Sequence, residues 1–323
     1  MKLQLLVPQY KETDEEVRPL LDSLRVQQGI DLVNDVGVII CNDGSDVHLS
    51  EELLNSYPFK VEYYLCEHQG VSATRNECLD RATADYVMFC DADDMFSMNC
   101  GLWIVFREMK EGFDSLTSAF IEESHFNGET NYITHETDST FVHGKIHRRQ
   151  YLIDNKIRWN PKLTIHEDSF FNILCQNLSP NVKYCPTPFY LWKWRDNSVC
   201  RHDPKYILKT YTNMLDSNDA LLTEFINRGR SDMATMFCCS MILDAYYTMN
   251  KPEWINQENK SYRDHTERYF GKYFKKWKHL WDSMPQQNKI AMSNQIRQRS
   301  IVEGMQFEEK TIDAWLRYIK KLK

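Results

Sequence analysis

In three places along this chain an apolar run stops at a cluster of polar groups able to do chemistry. Leu3–Val7 runs into Pro8-Gln9-Tyr10-Lys11-Glu12, Val36–Cys41 into Asn42-Asp43-Gly44-Ser45-Asp46, and Tyr86–Cys90 into Asp91-Ala92-Asp93-Asp94. The last cluster is the most informative. Carboxylates two residues apart on an extended segment can address one divalent cation and a neighbouring hydroxyl. Hard oxygen ligands suit Mg²⁺ or Mn²⁺, which keep sites for phosphate oxygens. An isolated Asp-x-Asp is usually a surface turn; three polar strand ends on one sheet edge are harder to explain that way. Glu167-Asp168 supplies a second pair of carboxylates. A positioned carboxylate that takes the proton of an attacking hydroxyl contributes roughly 10²–10⁴-fold. The same pair also fits a helix N-terminus, where negative charge is favourable.

The surrounding pattern positions these groups. Helical spacing over 15–28 puts Val17, Leu20, Leu21 and Leu24 on one face. A short helix is expected near 50–56, a strand over 61–65, and a helix over 72–82 with Ser72 as N-cap. Strands separated by helical segments predict right-handed βαβ units and a mostly parallel sheet. In such a sheet, ligands bind beyond the carboxyl ends of the strands. The middle reads as strands over 113–122 and 131–134, helices over 148–155 and 168–176, and a strand over 189–194 after the breakers Pro186 and Pro188. From 204 the pattern is helical: 205–228, 231–249, 260–281, 286–300 and 308–322.

Composition narrows the class. The chain has 323 residues with 42% hydrophobic, 26% charged, 11 Gly and 10 Pro, which excludes disordered and collagen-like chains. Its 8 Trp, 17 Tyr and 16 Phe suit either a large aromatic core or a site for sugars, bases or lipid. The net charge is −7, but residues 251–323 hold 16 Lys/Arg against 9 Asp/Glu. That basic tail suggests an anionic partner there. The 10 Cys form no Cys-x-x-Cys pattern, no secretory or membrane-spanning run stands out, and a reduced, cytoplasmic setting is expected. His143 and His147 are four apart on a possible helix. They lack the His-Glu-x-x-His pattern, and Gly144 weakens the helix, so no zinc site is read there.

The segments together resemble a family 2 glycosyltransferase of GT-A fold. The resemblance rests on Leu6–Glu12, Ile39–Asp46, Gln69-Gly70-Val71-Ser72-Ala73-Thr74-Arg75-Asn76, Tyr86–Asp94, His166–Phe171 and Tyr190–Ser198, in the family's order. It implies an α/β, Rossmann-like nucleotide-diphospho-sugar transferase domain over residues 1–203; the α-helical region over 204–323, read from its pattern, lies outside the resemblance. Lys11 and Asn42 depart from the family's usual Asn and Asp.

The resemblance also implies inverting transfer from a nucleotide-sugar, with a UDP-sugar suited by Asp43. Pro8, Tyr10, Glu12, Asp43, Gly70, Arg75, Asp91 and Ala92 would line the donor. Asp43 would accept from the base imide, Tyr10 would lie against the base, and Arg75 would reach the nucleotide or its diphosphate. Asp93 and Asp91 would hold Mn²⁺ or Mg²⁺, with His202 as a further metal ligand. Asp168 would be the catalytic base and Glu167 would orient the acceptor, a glycan or lipid-linked glycan. Two alternatives stay open: transfer to modified DNA, and a non-catalytic nucleic-acid-binding module on the same fold.

The other feature is 268–278, where five cations alternate with Tyr269, Phe270, Tyr273, Phe274 and Trp277. An amphipathic helix packing its aromatic face inward explains it. So does peripheral contact with an anionic membrane at its inner face, or with nucleic acid. A tail that dimerises the chain into a homo-oligomer is a further reading.

Overall fold

The structure is a computed structural model that describes residues 1–126, 128–195, 203, 205–302 and 311–322. It divides into two compact units, Met1–Ser198 and Val199–Lys323. The first unit opens with β1 (Leu3–Gln9), α1 (Asp14–Arg25), α2 (Leu32–Asp35), β2 (Val36–Asp43), α3 (Glu51–Leu54), β3 (Lys60–Cys66), α4 (Val71–Arg81) and β4 (Tyr86–Phe89). It continues with β5 (Met95–Phe96), α5 (Gly101–Glu111), β6 (Ser115–Phe126), β7 (Glu129–His135), β8 (Lys145–Arg148), α6 (Arg149–Asp154), α7 (Glu167–Asn177) and β9 (Val182–Trp192).

These strands form one sheet in the order β3-β2-β1-β4-β8-β6-β9-β5, with β7 paired to β6. β3, β2, β1 and β4 are mutually parallel, and β8 reverses the direction. The sheet is therefore mixed, with most of its strands running one way. Leu3, Leu5, Val7, Val36, Val38, Ile40, Met88 and Ile146 join α1 and α5 in one core. Alternation sends Leu6, Ile39, Phe89, Lys145 and His147 to the opposite face.

Several boundaries differ from the sequence reading for identifiable reasons. β1 does not stop at Pro8. It pairs on through Pro8↔Cys41 and Gln9↔Asn42, while its pairing to β4 ends at Leu6↔Phe89. No strand on that side needs the N–H that proline lacks. β9 likewise runs through Pro186 and Pro188, and the β6–β9 register shifts between Ser118 and Phe120 to admit them. The 143–147 segment is not helical. Gly144 takes φ +66° just before β8, and a Cβ there would fall 2.2 Å from Ser118 Oγ. The helix α4 is not capped by Ser72. Gly70 stands at its N-cap with φ +88°, a conformation that favours glycine.

The second unit is helical: α8 (Tyr206–Asn227), α9 (Ser231–Met249), α10 (Pro252–Ile255), α11 (Lys260–Ser283), α12 (Gln286–Val302) and α13 (Thr311–Ile319). α8, α9 and α11 pack on one another. The aromatic face of α11 is core: Phe270, Tyr273, Phe274 and Trp277 are buried, and Trp315 of α13 stacks on Phe270 at 5.1 Å. Lys276 and Lys278 pair with Asp219 and Asp282. Of the readings open for 268–278, packing explains its rings. Among the described residues no helix is long and apolar enough to cross a membrane.

Candidate functional site

The carboxyl ends of β1, β2 and β4 converge on one edge, because parallel strands end together. Asp43 closes β2, and its carboxylate binds the turn before α4. Gln69 N–H donates to Oδ1 at 2.8 Å and Gly70 N–H to Oδ2 at 3.0 Å. His68, which the sequence reading missed, places Nδ1 3.0 Å from the same carboxylate. Its ring stacks on Tyr10 at 5.0 Å, and Tyr10 is 44% exposed. Tyr10, His68 and Asp43 thus form a partly open platform with an aromatic face and an acceptor.

The two departures from the family pattern are accommodated locally. Asn42 is buried, accepts from Ser45 N–H at 2.7 Å, and donates to the Val47 carbonyl and the Tyr63 hydroxyl at 2.9 Å each. Its amide builds the turn. Lys11 has φ +70°, a left-handed conformation that asparagine adopts more readily than lysine.

Arg75 organises the centre. One guanidinium nitrogen donates to Asp91 at 2.9 Å and another to Glu167 at 2.9 Å. The group lies 4.4 Å over Trp159, which stacks on Phe171 at 4.2 Å. Buried Nε has no acceptor among the described residues. Burial disfavours the charge of Arg75, but Asp91, Glu167 and Asp168 outweigh it and hold the proton more tightly than usual. Asp168 follows Glu167 in the first turn of α7, where its Oδ1 accepts from Ser169 N–H at 2.7 Å. Burial, then the charge of Glu167, pushes Asp168 up to about 7, against the pull of Arg75.

The acidic strand end splits in its roles. Asp93 lies 3.1 Å from Arg195, which also donates to Glu12 at 3.0 Å. Burial and the charge of Asp91 raise Asp93 to about 6. Asp94 is buried and accepts from the Tyr190 hydroxyl at 2.7 Å and from Lys193 N–H at 3.0 Å. Asp91, Asp94 and His143 bring ligand atoms within 4.8 Å of one another. Asp94 is committed to β9, so this cluster ties the strand end to the sheet. Ala92 is buried between these groups, and Pro8 sits one residue before the end of β1.

Most residues singled out in the sequence therefore meet at one edge. Asp43 and Tyr10 stand on one side, Arg75 and Asp91 in the middle, Asp93 and Glu12 around Arg195, and Glu167-Asp168 opposite. His202 lies outside the described residues. Trp159 and His68 carry no motif signal, and only long-range packing brings them to the site.

A mixed sheet of this order, with acidic strand ends at one edge, defines a GT-A glycosyltransferase. The chain belongs to glycosyl transferase family 2, whose family model matches residues 5–172. It is 23% identical over 246 residues to the glycosyltransferase EpsH of Bacillus subtilis (strain 168), covering 69% of each chain. It is 27% identical over 190 residues to the poly(ribitol-phosphate) beta-glucosyltransferase of Bacillus spizizenii, covering 54% of this chain and 29% of that protein. Its fold is similar to that of S. aureus TarS 1–349 in complex with UDP, with a TM-score of 0.61, 17% identity, and coverage of 85% of this chain and 80% of that one. TarS 1–349 in complex with UDP-GlcNAc gives a TM-score of 0.58 at 18% identity, covering 92% of each chain.

Proposed function

We propose that the enzyme is a metal-dependent, inverting glycosyltransferase that moves a sugar from a UDP-sugar to a hydroxyl of a glycan acceptor. One observation carries this reading: Arg75 joins Asp91 and Glu167 at 2.9 Å each. That bridge ties the donor side of the edge to the acceptor side. The names of TarS with UDP and UDP-GlcNAc, and of the poly(ribitol-phosphate) glucosyltransferase, support the donor and acceptor classes.

In this reading Tyr10 and His68 lie against the base, and Asp43 accepts from its imide N–H. Arg75 lends positive charge to the nucleotide diphosphate. The acceptor hydroxyl attacks the anomeric carbon from the face opposite the leaving UDP. Asp168 takes the hydroxyl proton as the new bond forms, and Glu167 orients the acceptor. The carboxylates of Asp91 and Asp93 fit a hard divalent cation. Burial and the charge of Asp91 already raise Asp93 to about 6, which a bound cation would relieve. Bound Mn²⁺ or Mg²⁺ supplies Lewis-acid neutralisation of the departing diphosphate. The transfer chemistry belongs to residues 1–203, with 204–323 as a helical appendage.

A donor panel tests the reading. UDP-, GDP-, TDP- and CMP-sugars are compared with Mn²⁺ by nucleotide release and thermal shift. UDP-sugars are expected to lead both readouts. A clear preference for another nucleotide, or undiminished turnover in excess EDTA, overturns it.

A further inference from the structure

Lys145 is the first residue of β8 and is 1% exposed. A lysine this deeply buried normally has a close counter-charge. Here Nζ lies 3.4 Å from the His143 carbonyl and 3.9 Å from Asp138 Oδ1. The Asp138 carboxylate is itself engaged by Thr140 N–H at 2.7 Å and Phe141 N–H at 2.8 Å. Lysine is not needed to hold that loop.

The register says where Lys145 stands. β8 is antiparallel to β4, with Met88 opposite Ile146. The start of β8 therefore lies at the end of β4, beside the acidic cluster. Ile146 belongs to the core on the α1 and α5 face, so Lys145 and His147 face the other way. On that face His147 meets Phe171 of α7 edge-on at 5.5 Å. Phe171 follows Asp168 by three residues, which puts both on one side of α7. Asn172 and Gln176 fasten α7 to the same region, through the Thr140 and Phe141 carbonyls and through Thr117, the β6 partner of Lys145.

We propose that Lys145 is a positioning residue whose buried ammonium, together with Arg75, holds the Asp168 carboxylate as the anion that faces the acceptor. The inference rests on the reading of Asp168 as the proton acceptor. The charges around Asp168 come from every neighbouring element. Glu167, on its own helix, opposes ionisation, and Arg75 of α4 and Lys145 of β8 favour it. Burial holds His166 below the ordinary histidine value and lowers His147 to about 3. Burial depresses Lys145 to about 8, and the charges of Asp138 and Asp168 work against that.

The test needs no substrate. The carboxyl ¹³C resonance of Asp168, assigned by its loss in Asp168→Asn, is titrated in the parent, Lys145→Gln, Lys145→Met and Lys145→Arg. Glutamine can still donate to the His143 carbonyl, so it removes the charge with least damage to the fold. In Lys145→Gln and Lys145→Met the midpoint is expected to move up, because a positive charge that favours the anion is removed. In Lys145→Arg it is expected to stay near the parent's. The acid limb of UDP-sugar turnover in Mn²⁺ is expected to follow the resonance. An unmoved midpoint, or activity lost equally at every pH, overturns the inference. If Asp168→Asn remains active, the base reading itself fails, which the resonance distinguishes.

Discussion

The Arg195 guanidinium lies 3.1 Å from the Asp93 carboxylate, at the edge where the acidic strand end meets Glu12. A fixed cation at that distance competes with a divalent ion for the same oxygens. Asp93→Asn is expected to nearly abolish transfer while leaving the melting profile of a folded protein. Arg195→Gln is expected to lower the Mn²⁺ concentration needed for half-maximal UDP-sugar turnover. A metal titration of the variants checks both. Full activity of Asp93→Asn, or an unchanged Mn²⁺ requirement after Arg195→Gln, contradicts this account.

Asp168 and Glu167 adjoin in sequence but differ in surroundings. Arg75 holds Glu167 at 2.9 Å, whereas Asp168 is raised to about 7 by burial and by Glu167. A base poised near neutral pH suits proton abstraction. Asp168→Asn is expected to lower turnover by about 10²-fold or more with UDP affinity retained, since only the transferring state loses help. The parent's turnover should fall as pH drops through about 7. Single-turnover kinetics with UDP binding by calorimetry separate the two effects. If Glu167→Gln is the inactive variant and Asp168→Asn is nearly normal, the roles are exchanged.

The parts of this site that were legible in the sequence are those that follow buried parallel strands. Such strands read as continuous apolar runs, so the polar clusters that follow Val7, Cys41 and Cys90 stand out against them. Lys145, His68 and Trp159 gave no such signal, and the structural partner of Asp94 gave none either. Each depends on contacts across the sheet, as when Asp94 takes the Tyr190 hydroxyl ninety-six residues away. The helix α5 was not anticipated, for it starts at Gly101 with Cys100 as N-cap and no capping side chain. In β9, Pro186 and Pro188 read as breakers because a register shift cannot be seen from one strand alone.

The buried carboxylates of Asp168 and Asp93 cost stability. Asp168 is raised to about 7 and Asp93 to about 6, both above the ordinary 3.8. The folded chain thus favours their protonated forms. That contribution is fully present below about pH 4 and is lost as pH rises through 6 and 7. In EDTA at pH 8, Asp168→Asn is expected to melt at a higher temperature than the parent. At pH 4 the difference is expected to shrink. Differential scanning fluorimetry across this range measures it, and parallel melting curves at every pH would refute the linkage.

The helical unit offers a prediction in which packing and charge separate. Trp277 is buried and its indole N–H donates to Asp219 Oδ1 at 2.6 Å; Lys276 reaches the same carboxylate at 2.7 Å. The Lys276 side chain is 52% exposed, so solvent screens its pair, worth about 0–1 kcal/mol. Truncating a buried tryptophan to alanine removes apolar area, leaves a cavity, and here also removes one of the two donors to Asp219. Trp277→Ala is expected to cost about 3–5 kcal/mol in denaturant unfolding followed by helical signal. Replacing Lys272, Lys275, Lys276 and Lys278 together by Gln is expected to cost far less, because their ammonium groups are not what fills the core. A loss from the four-lysine variant as large as that from Trp277→Ala would mean that the cationic face of α11 holds the unit together as much as its rings do.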